Sequence, residues 1–336
     1  MSALVVGECL VDLAPAATPE GGGASGPVAH ELNLVALPGG SPANVALGLA
    51  RLAVPTSFAG RFSGSGFGPW LRAHLEANGV DLSPSVNAPE PATMAVVTLD
   101  KLGQARYTFY GPETADWHWA AAELPARPKC RVVHTGSLAT TMAPGAAVIA
   151  RWVAALREQG EVVISFDPNV RPGLVADIDA YRLAMEQLVA RAHIVKASTA
   201  DIATVYPGQT VGSVIQRWLE LGCTLVLSTD GEHGATAAHR RGARFACAPP
   251  QVKVVDTIGA GDSFSSGLLA YLDNHGLLSE PQLDNMDAAD IGAALAHAVA
   301  ASAYTCTRPG ADPPDSATLA SFLAEQPPQY GPHPLE

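Results

Sequence analysis

Short apolar runs alternate with longer amphipathic segments along most of the chain. Apolar runs of this length are typical of strands, and the amphipathic segments between them are typical of helices. The predicted strands are 3–7, 56–60, 131–136, 161–167, 193–198 and 223–229, and the predicted helices are 41–52, 67–79, 143–160 and 177–192. Because buried strands that alternate with helices form parallel sheets covered on both faces, the pattern predicts an α/β fold.

Two regions depart from this alternation. Residues 9–38 hold a weak strand, a loop rich in glycine, alanine and proline (PEGGGASGPVAH), and another short strand. Residues 92–110 read as two alternating strands around a Lys-Leu-Gly-Gln turn, which is typical of a β-hairpin. Together these regions predict a small sheet that stands off the main one.

The C-terminal third adds a helix and a tail. An alanine-rich segment at 288–305 predicts a buried helix, since Asp290 and His297 interrupt it and no apolar run reaches 18 residues. The tail is proline-rich and is expected to fray. We therefore predict one domain over 1–325 and a tail over 326–336.

Composition and charge narrow the class of protein. The 336 residues carry a net charge of −12, which argues against a nucleic-acid or membrane partner. The five cysteines are scattered without a C-x-x-C pair, as expected for reduced thiols in a cytosol. The N-terminus, MSALVVGECLVDLAP, lacks a basic region and reads as a first strand. The protein is expected to be cytoplasmic.

The stretch VVDTIGAGDSFSSGLLAYL runs from a strand pattern into an amphipathic helix. Gly259, Ala260 and Gly261 stand at the helix entrance, where bare amides and the helix dipole favour an anion. Asp262 follows, and a carboxylate beside an anion hole suits a general base that deprotonates a hydroxyl attacking a phosphoryl group. A helix N-terminus capped by Asp262 is the alternative.

A second glycine-rich helix entrance lies in LPGGSPANVALGLARL. Gly39 and Gly40 permit close approach of a ligand, and Asn44 can direct its amide into the same cleft. The alternative is an ordinary helix start with Ser41 as the N-cap and Pro42 in the first turn.

GGSPANVALGLARL and DTIGAGDSFSSGLLAYL resemble the two signature segments of the PfkB, or ribokinase-like, carbohydrate kinases. Their order and spacing agree with that family, and the resemblance extends over essentially the whole chain. It implies a ribokinase-like three-layer αβα sandwich with a mainly parallel central sheet and a small β-sheet lid over the sugar. It also implies ATP and Mg²⁺ as cofactors and K⁺ as a further candidate cation.

The resemblance assigns the sugar side of the site. Asp262 would take a proton from the sugar hydroxyl that attacks the γ-phosphate, beside the anion hole of residues 259–261. Asp12, Gly39, Gly40 and Asn44 would hold the sugar, although Asp12 also fits a solvated strand end.

Two further motifs resemble sugar-contacting segments of the family. SFDPNVRP would direct Asn169 and Arg171 to the substrate or the transferred phosphate, or would simply form a turn around Pro168 and Pro172. The TFY run would place Phe109 against the sugar, or would pack within the hairpin.

On the nucleotide side, LSTDGEHGA resembles the family's T-x-G-x-x-G loop. Thr229, Gly231 and Gly234 would lie along the ATP phosphates and ribose. His297 would line the adenine pocket or be a core histidine.

Cation and phosphate sites follow from two other segments. VKASTADIATVYP matches a segment that usually reads N-x-x-E or S-x-x-E, so Ser198 and Asp201 would organise Mg²⁺ and phosphates through water. Lys196 would approach the phosphates or end a strand. The resemblance also implies a monovalent-cation site in the DTxGAGD loop, for which Asp256 and Ile258 are the candidates.

One stretch, GRFSGSGFGPWL, departs from the family pattern G-x-x-G-D-D-x-x-G. Residues 63–66 lack the acid that helps to hold the sugar, so a hydroxyl or the backbone would have to substitute. The stretch is not a dinucleotide fingerprint, because Pro69 occupies the third glycine position.

The leading hypothesis is an ATP-dependent sugar kinase that phosphorylates fructose, on the strength of GECLVDL, TFYGPETADW and DPNVRP. A 2-keto-3-deoxygluconate kinase is the first alternative, followed by a ribokinase or nucleoside kinase. A non-catalytic sugar-binding protein would keep Asp12 and Asn44 but would not need Asp262. Hydrolase G-x-S-x-G and P-loop motifs do not occur. The lid is also a possible homodimer surface.

Overall fold

A computed structural model describes residues 1–15, 33–99, 105–111 and 113–333. Strands and helices are numbered in chain order. The strands are β1 Ala3–Val6, β2 Leu10–Pro15, β3 Leu34–Gly39, β4 Thr56–Ala59, β5 Arg61–Ser63, β6 Val86–Ala88, β7 Met94–Leu99, β8 Ala105–Tyr110, β9 Val132–Gly136, β10 Val163–Asp167, β11 Ile194–Ser198, β12 Leu225–Thr229, β13 Ala235–His239, β14 Arg244–Ala248 and β15 Gln329–Pro332. The helices are α1 Ser41–Arg51, α2 Gly68–Ala77, α3 Gly145–Gln159, α4 Ile178–Val189, α5 Thr199–Val205, α6 Val211–Glu220, α7 Ala260–Asn274, α8 Glu280–Asp284, α9 Ala288–Thr305 and α10 Ser316–Glu325.

A nine-stranded sheet in the order β15-β14-β13-β12-β11-β10-β9-β1-β4 forms the centre of the fold. Six neighbouring strands of this sheet are parallel: β4, β1, β9, β10, β11 and β12. Strands β13, β14 and β15 continue the sheet in antiparallel pairs. Because side chains alternate along a strand, Ala3 and Val5 enter the core beneath α1, α7 and α9, whereas Leu4 and Val6 enter the core beneath α3, α4 and α6. The predicted three-layer α/β architecture is confirmed.

The lid is a four-stranded sheet in the order β3-β2-β7-β8. It forms from the two regions that break the α/β alternation, with β2 and β3 antiparallel, β2 and β7 parallel, and β7 and β8 antiparallel. The loop over 16–32 and the turn over 101–104 lie outside the described residues. The lid is joined to the carboxyl end of β1 by residues 7–9, so it stands over the edge of the sheet where ligands of open α/β folds bind.

The expectation of a frayed tail is wrong for residues 329–332. These residues form β15, which pairs antiparallel with β14. The ring of Tyr330 packs edge-on against Phe245, and it lies so close to Gly292 that a Cβ there would fall 2.1 Å from a ring carbon. Strand pairing and a contact of the half-exposed Tyr330 ring with buried Phe245 thus hold a segment whose composition alone favours disorder. Residues 334–336 lie outside the described part of the chain.

Across residues 1–15, 33–99, 105–111 and 113–333, no helix has both the length and the apolar character needed to cross a bilayer.

Helix α1 depends on its buried face. Leu49 is 0% exposed there, and replacing it with alanine is expected to lower the free energy of unfolding by about 2–5 kcal/mol, because a cavity would replace its contacts. Urea unfolding measures this change. Leu183→Ala is the matched control, since Leu183 on α4 is 66% exposed and its loss should cost about 0.5 kcal/mol or less. Equal losses in the two variants would contradict the assigned packing of α1.

Candidate active site

A first cavity of about 260 Å³ opens between the lid and the carboxyl ends of the central strands. Lid strands, the loops after β1, β9 and β10, and the first turns of α1 and α7 supply its walls. The lining residues are Glu8, Leu10, Asp12, Gly40, Ser41, Asn44, Phe109, Ser137, Leu138, Asn169, Arg171, Lys196, Thr257, Ile258, Gly259, Gly261 and Asp262. Residues that are far apart in the sequence thus meet in one cavity, as the motif analysis predicts.

Asp262 is held in this cavity by the first turn of α1. The hydroxyl of Ser41 donates a hydrogen bond to Asp262 Oδ1 at 2.6 Å, and the amide of Asn44 donates to Oδ2 at 2.8 Å. Helices α1 and α7 can approach because a Cβ at Gly48 would lie 2.3 Å from Ser266 Oγ. The alternative of plain helix caps is not observed: Gly40 and Gly259 are the N-cap residues, and neither helix has a side-chain cap.

The entrance of α7 has the backbone of an anion site. Gly259 adopts a left-handed conformation with φ 74°, and a Cβ there would meet Ala311 at 2.6 Å, so glycine is required. Within the described residues, the amides of Gly259 and Gly261 have no hydrogen-bond acceptor, whereas Ala260 N contacts the Thr257 carbonyl at 3.3 Å. The amides of Gly259 and Gly261 are therefore better placed than that of Ala260 to bind an anion.

Asp12 projects from β2 into the same cavity. Burial raises the pKa of its carboxyl to about 6; the positive charge of Arg171 opposes this shift and the charge of Asp262 adds to it. Gly39, on the neighbouring strand β3, leaves the space that the carboxylate fills, because a Cβ there would lie 2.3 Å from Asp12 Oδ2. Gly40 has φ 102° and would place a Cβ 2.5 Å from the Glu8 carbonyl oxygen. Gly39 thus makes room for the Asp12 carboxylate, and Gly40 makes room for the backbone at Glu8 and Cys9.

The loop after β10 brings Asn169 and Arg171 to the cavity wall. Asn169 has φ 39°, and its side-chain oxygen accepts a hydrogen bond from Arg171 Nη1 at 2.6 Å. Asp201 Oδ1 accepts from Val170 N at 2.8 Å and thereby anchors this loop to α5. The segment is a tight turn, and Asn169 and Arg171 also line the cavity.

Lys196 reaches the cavity from β11. Its Nζ donates to Asp167 Oδ2 at 2.9 Å, and both side chains are buried. Burial opposes the charge of Lys196, but the neighbouring carboxylates, Asp167 first, raise its pKa above the usual value. The ammonium therefore stays protonated.

A second cavity of about 500 Å³ adjoins the first. Its lining includes three residues predicted to follow the ATP phosphates and ribose, Thr229, Gly231 and Gly234, and an apolar end with Phe264 and Val299. Thr257 and Gly261 line both cavities. The two cavities therefore meet at the entrance of α7, beside Asp262.

His297 does not line either of these two cavities in the described part of the chain. Its Nδ1 is hydrogen-bonded to the Gly267 carbonyl at 2.9 Å, and its ring packs beside Tyr271. The geometry favours the alternative of a core histidine over an adenine contact.

Ser198 and Asp201 form a capping box at the start of α5. Asp201 Oδ2 accepts from Ser198 N at 2.9 Å and from its hydroxyl at 2.6 Å, while Oδ1 holds Val170 N. No cluster of three or more His, Cys, Asp or Glu side chains that could hold a metal occurs among the described residues. Both carboxylate oxygens of Asp201 thus have structural partners, and its role toward Mg²⁺ stays a prediction.

The predicted monovalent-cation residues lie in the turn that precedes α7. Asp256 accepts from Ile258 N at 3.1 Å and from Gly310 N at 2.8 Å. The carboxylate therefore ties this turn to the segment after α9. Potassium binding here stays a prediction.

A comparison with protein families decides the class. The family described as pfkB family carbohydrate kinase matches residues 2–318. The chain belongs to the PfkB family of carbohydrate kinases. This confirms the resemblance carried by the two signature segments, and the PfkB chain is therefore a phosphotransferase that acts on a carbohydrate.

Individual relatives of this PfkB kinase are also named as sugar kinases. It is 33% identical over 285 residues to a fructokinase of Rhizobium leguminosarum bv. trifolii, covering 84% of this chain and 83% of the relative. The fructokinase of Xylella fastidiosa with bound ATP superposes with a TM-score of 0.84 at 25% identity, over 96% of this chain and 98% of that one. A fructokinase variant of Vibrio cholerae O395 in a form bound to fructose, ADP and potassium ion gives 0.80 at 27%, with the same coverage.

Several residues at this site are not among those that the sequence motifs predict. Glu8, Ser137 and Leu138 line the first cavity, and Asp167 holds Lys196. Glu8 Oε2 accepts from Ala139 N at 3.0 Å, and burial raises the pKa of this carboxyl to about 7. The available signal was the position of Glu8, Ser137 and Asp167 at or just beyond the carboxyl end of a buried strand, because such positions meet at one edge of a parallel sheet. Conversely, residues 63–66 do not line the cavity.

Proposed function

We propose that this PfkB kinase transfers the γ-phosphoryl group of ATP to D-fructose and releases D-fructose 6-phosphate and ADP. The observation that carries the proposal is the position of Asp262, which faces the first cavity at its junction with the second. Sugar in the first cavity and ATP in the second would meet beside this carboxylate. Relatives named fructokinase, one of them solved with fructose and ADP, support the choice of sugar.

The chemistry follows from the placement of Asp262. As the sugar hydroxyl oxygen bonds to phosphorus, its proton passes to Asp262 and the bond from phosphorus to the bridging oxygen of ADP breaks. Ser41 and Asn44 hold the carboxylate while leaving lone pairs for that proton. The amides of Gly259 and Gly261, together with Lys196, stabilise the charge on the phosphoryl oxygens. Mg²⁺ enters as part of the ATP substrate and neutralises phosphate charge.

The charges of the first cavity favour a neutral sugar over a sugar acid. Three carboxyl groups, those of Glu8, Asp12 and Asp262, line it. Its positive groups are Arg171, which is bonded to Asn169, and Lys196, which is paired with Asp167. Carboxylates bind the paired hydroxyls of a polyol but repel the carboxylate of 2-keto-3-deoxygluconate. Fructose is therefore preferred to this first alternative.

We also propose a bound cation, an oligomeric state and a cellular location for this enzyme. Potassium would bind near Asp256 and Ile258, as the potassium-bound Vibrio cholerae relative suggests by analogy. A homodimer would form through the lid, where Val35 and Tyr110 are exposed apolar side chains. The cytoplasm is the proposed location, because Cys9, Cys130, Cys223, Cys247 and Cys306 are all free thiols.

The deciding experiment measures ADP release by the purified enzyme with ATP and each of four acceptors: fructose, ribose, 2-keto-3-deoxygluconate and adenosine. Fructose should give the highest kcat/KM, and mass spectrometry should find a hexose monophosphate. The Asp262→Asn protein, purified in parallel, controls for contaminating kinases. Highest activity on another acceptor would reassign the substrate, and heat of sugar binding without turnover would favour a binding protein.

The pH dependence of sugar binding should follow Asp12. Its carboxylate accepts sugar hydroxyls only when ionised, and its pKa is raised to about 6, so the sugar KM should rise as the pH falls below 6, by about tenfold per unit. The KM for ATP should change far less. Glu8 lines the same cavity, and its pKa is raised to about 7, so its protonation is a second source of a pH-dependent KM. Asp12→Asn is the control that separates the two groups. If its weakened sugar KM still rises with acid, a different group governs binding.

A further inference from the structure

Asp167 and Lys196 form an ion pair at the carboxyl ends of two neighbouring strands. Strands β10 and β11 pair in parallel with Phe166 beside Val195, which brings the next residue of each strand side by side. Asp167 is 1% exposed and Lys196 is 7% exposed. Their contact at 2.9 Å is therefore shielded from water and from screening by salt.

The position of the ammonium group is unusual for a structural ion pair. A Cβ on Gly261 would lie 2.8 Å from Lys196 Nζ, so the absence of a side chain at Gly261 makes room for the cation against the first turn of α7. The N-terminus of a helix carries partial positive charge and repels a cation. Asp262 accepts hydrogen bonds from Ser41 and Asn44, and among the described residues it has no direct hydrogen bond to Lys196, so its charge acts on the ammonium only from a distance. An anion bound between Lys196 and the helix would remove the repulsion.

Lys196 retains donors for such an anion. An ammonium group has three N–H donors, and Asp167 is its one hydrogen-bond acceptor among the described residues. The group also lines the first cavity beside the point where the second begins. A phosphoryl group passing from ATP to the sugar would cross this point.

We propose that Asp167 is a positioning residue that holds the Lys196 ammonium against the phosphoryl group in transfer at the entrance of α7. The inference rests on the proposed function and adds a part to it: Lys196 touches the transferred group, and Asp167 acts through Lys196. Buried ion pairs contribute little net stability compared with apolar pairs of the same size, so stability alone does not account for this one. The ion pair instead fixes the Lys196 ammonium at the place where negative charge develops on the phosphoryl group during transfer.

Asp167→Asn is a sharp probe of this role. Asp167 Oδ1 accepts from Asn169 N at 3.1 Å, and an asparagine can keep this bond through its amide oxygen. Its NH₂ group would then face Lys196 in place of Oδ2, so the change removes the ion pair while sparing the turn that carries Arg171. Lys196→Met removes the cation and keeps most of the apolar stem.

The experiment is a double-mutant cycle on the full chain with fructose and MgATP. We expect kcat to fall about tenfold in Asp167→Asn and about thirtyfold in Lys196→Met, with sugar KM changed less than threefold in each. The double variant should match Lys196→Met alone, because Asp167 has nothing left to position. Asp177→Asn, at the exposed N-cap of α4, is the matched control and should leave kcat unchanged.

Three results would overturn the inference. Additive losses in the double variant would show that Asp167 acts independently of Lys196. Recovery of Asp167→Asn at high Mg²⁺ would make Asp167 a metal ligand. A loss of thermal stability large enough to account for the fall in kcat would make the pair structural. A wild-type enzyme that phosphorylates no sugar would instead reject the proposed function, so the two failures are distinguishable.

Discussion

Replacing Asp262 with asparagine should lower kcat about thousandfold while leaving sugar and ATP binding within about threefold. A general base contributes on the order of 10²–10⁴ to a rate, and asparagine cannot accept the proton of the attacking hydroxyl. Asparagine has the shape of aspartate, and its amide oxygen can still accept from Ser41 or Asn44, so the junction between α1 and α7 should persist. ADP release measures kcat, and calorimetry measures the two dissociation constants.

Helix α7 offers a matched control for this variant. Asp273 lies near the other end of the helix, is 8% exposed like Asp262, and pairs with Arg131 at 3.0 Å. Asp273→Asn makes the same chemical change at the same burial, but far from the cavity, so kcat should stay within about twofold. Retention of more than a tenth of wild-type kcat in Asp262→Asn would show that the proton leaves by another route.

The elements of this fold follow from local pattern to a large extent. Strands β1, β9, β10, β11 and β12 occur where apolar runs predict them, because period and length mark buried parallel strands without reference to the rest of the chain. The tail strand β15 could not be found in this way. Its position depends on Tyr330 packing against Phe245 and Gly292, which are contacts across the fold that no local window contains.

The residues of the site show the same difference between local sequence pattern and long-range packing. Asp262 and the α7 entrance form one local motif, which suggests a general base beside an anion hole but leaves an ordinary helix start as the alternative. The pairing of Asp262 with Ser41 and Asn44 joins residues more than 200 positions apart, and only the packing of α1 on α7 creates it. Asp201 and His297 occupy family positions, and the structure adds contacts to them: Asp201 accepts from Ser198 and Val170, and His297 Nδ1 contacts the Gly267 carbonyl. Their roles toward Mg²⁺ and adenine stay predictions.

Gly39→Ala should lower kcat/KM for the sugar about hundredfold with little loss of stability. The new methyl group would fall 2.3 Å from Asp12 Oδ2 and 2.9 Å from its Cγ, so the carboxylate must swing away. Gly39 does not have a positive φ, so alanine is compatible with its backbone and the strain falls on a movable side chain. A displacement of about 1 Å in a substrate-holding group can cost on the order of 10² in rate.

Two further variants test whether Gly39→Ala lowers kcat/KM by displacing the Asp12 carboxylate. Gly64→Ala is the matched control, because its Cβ would meet only the Ala88 carbonyl oxygen at 3.8 Å, so kcat/KM should not change. In an Asp12→Ala background the clash partner is gone, and Gly39→Ala should add less than about threefold. A full hundredfold further loss in that background would mean that the new methyl group lowers kcat/KM by a route that does not pass through Asp12.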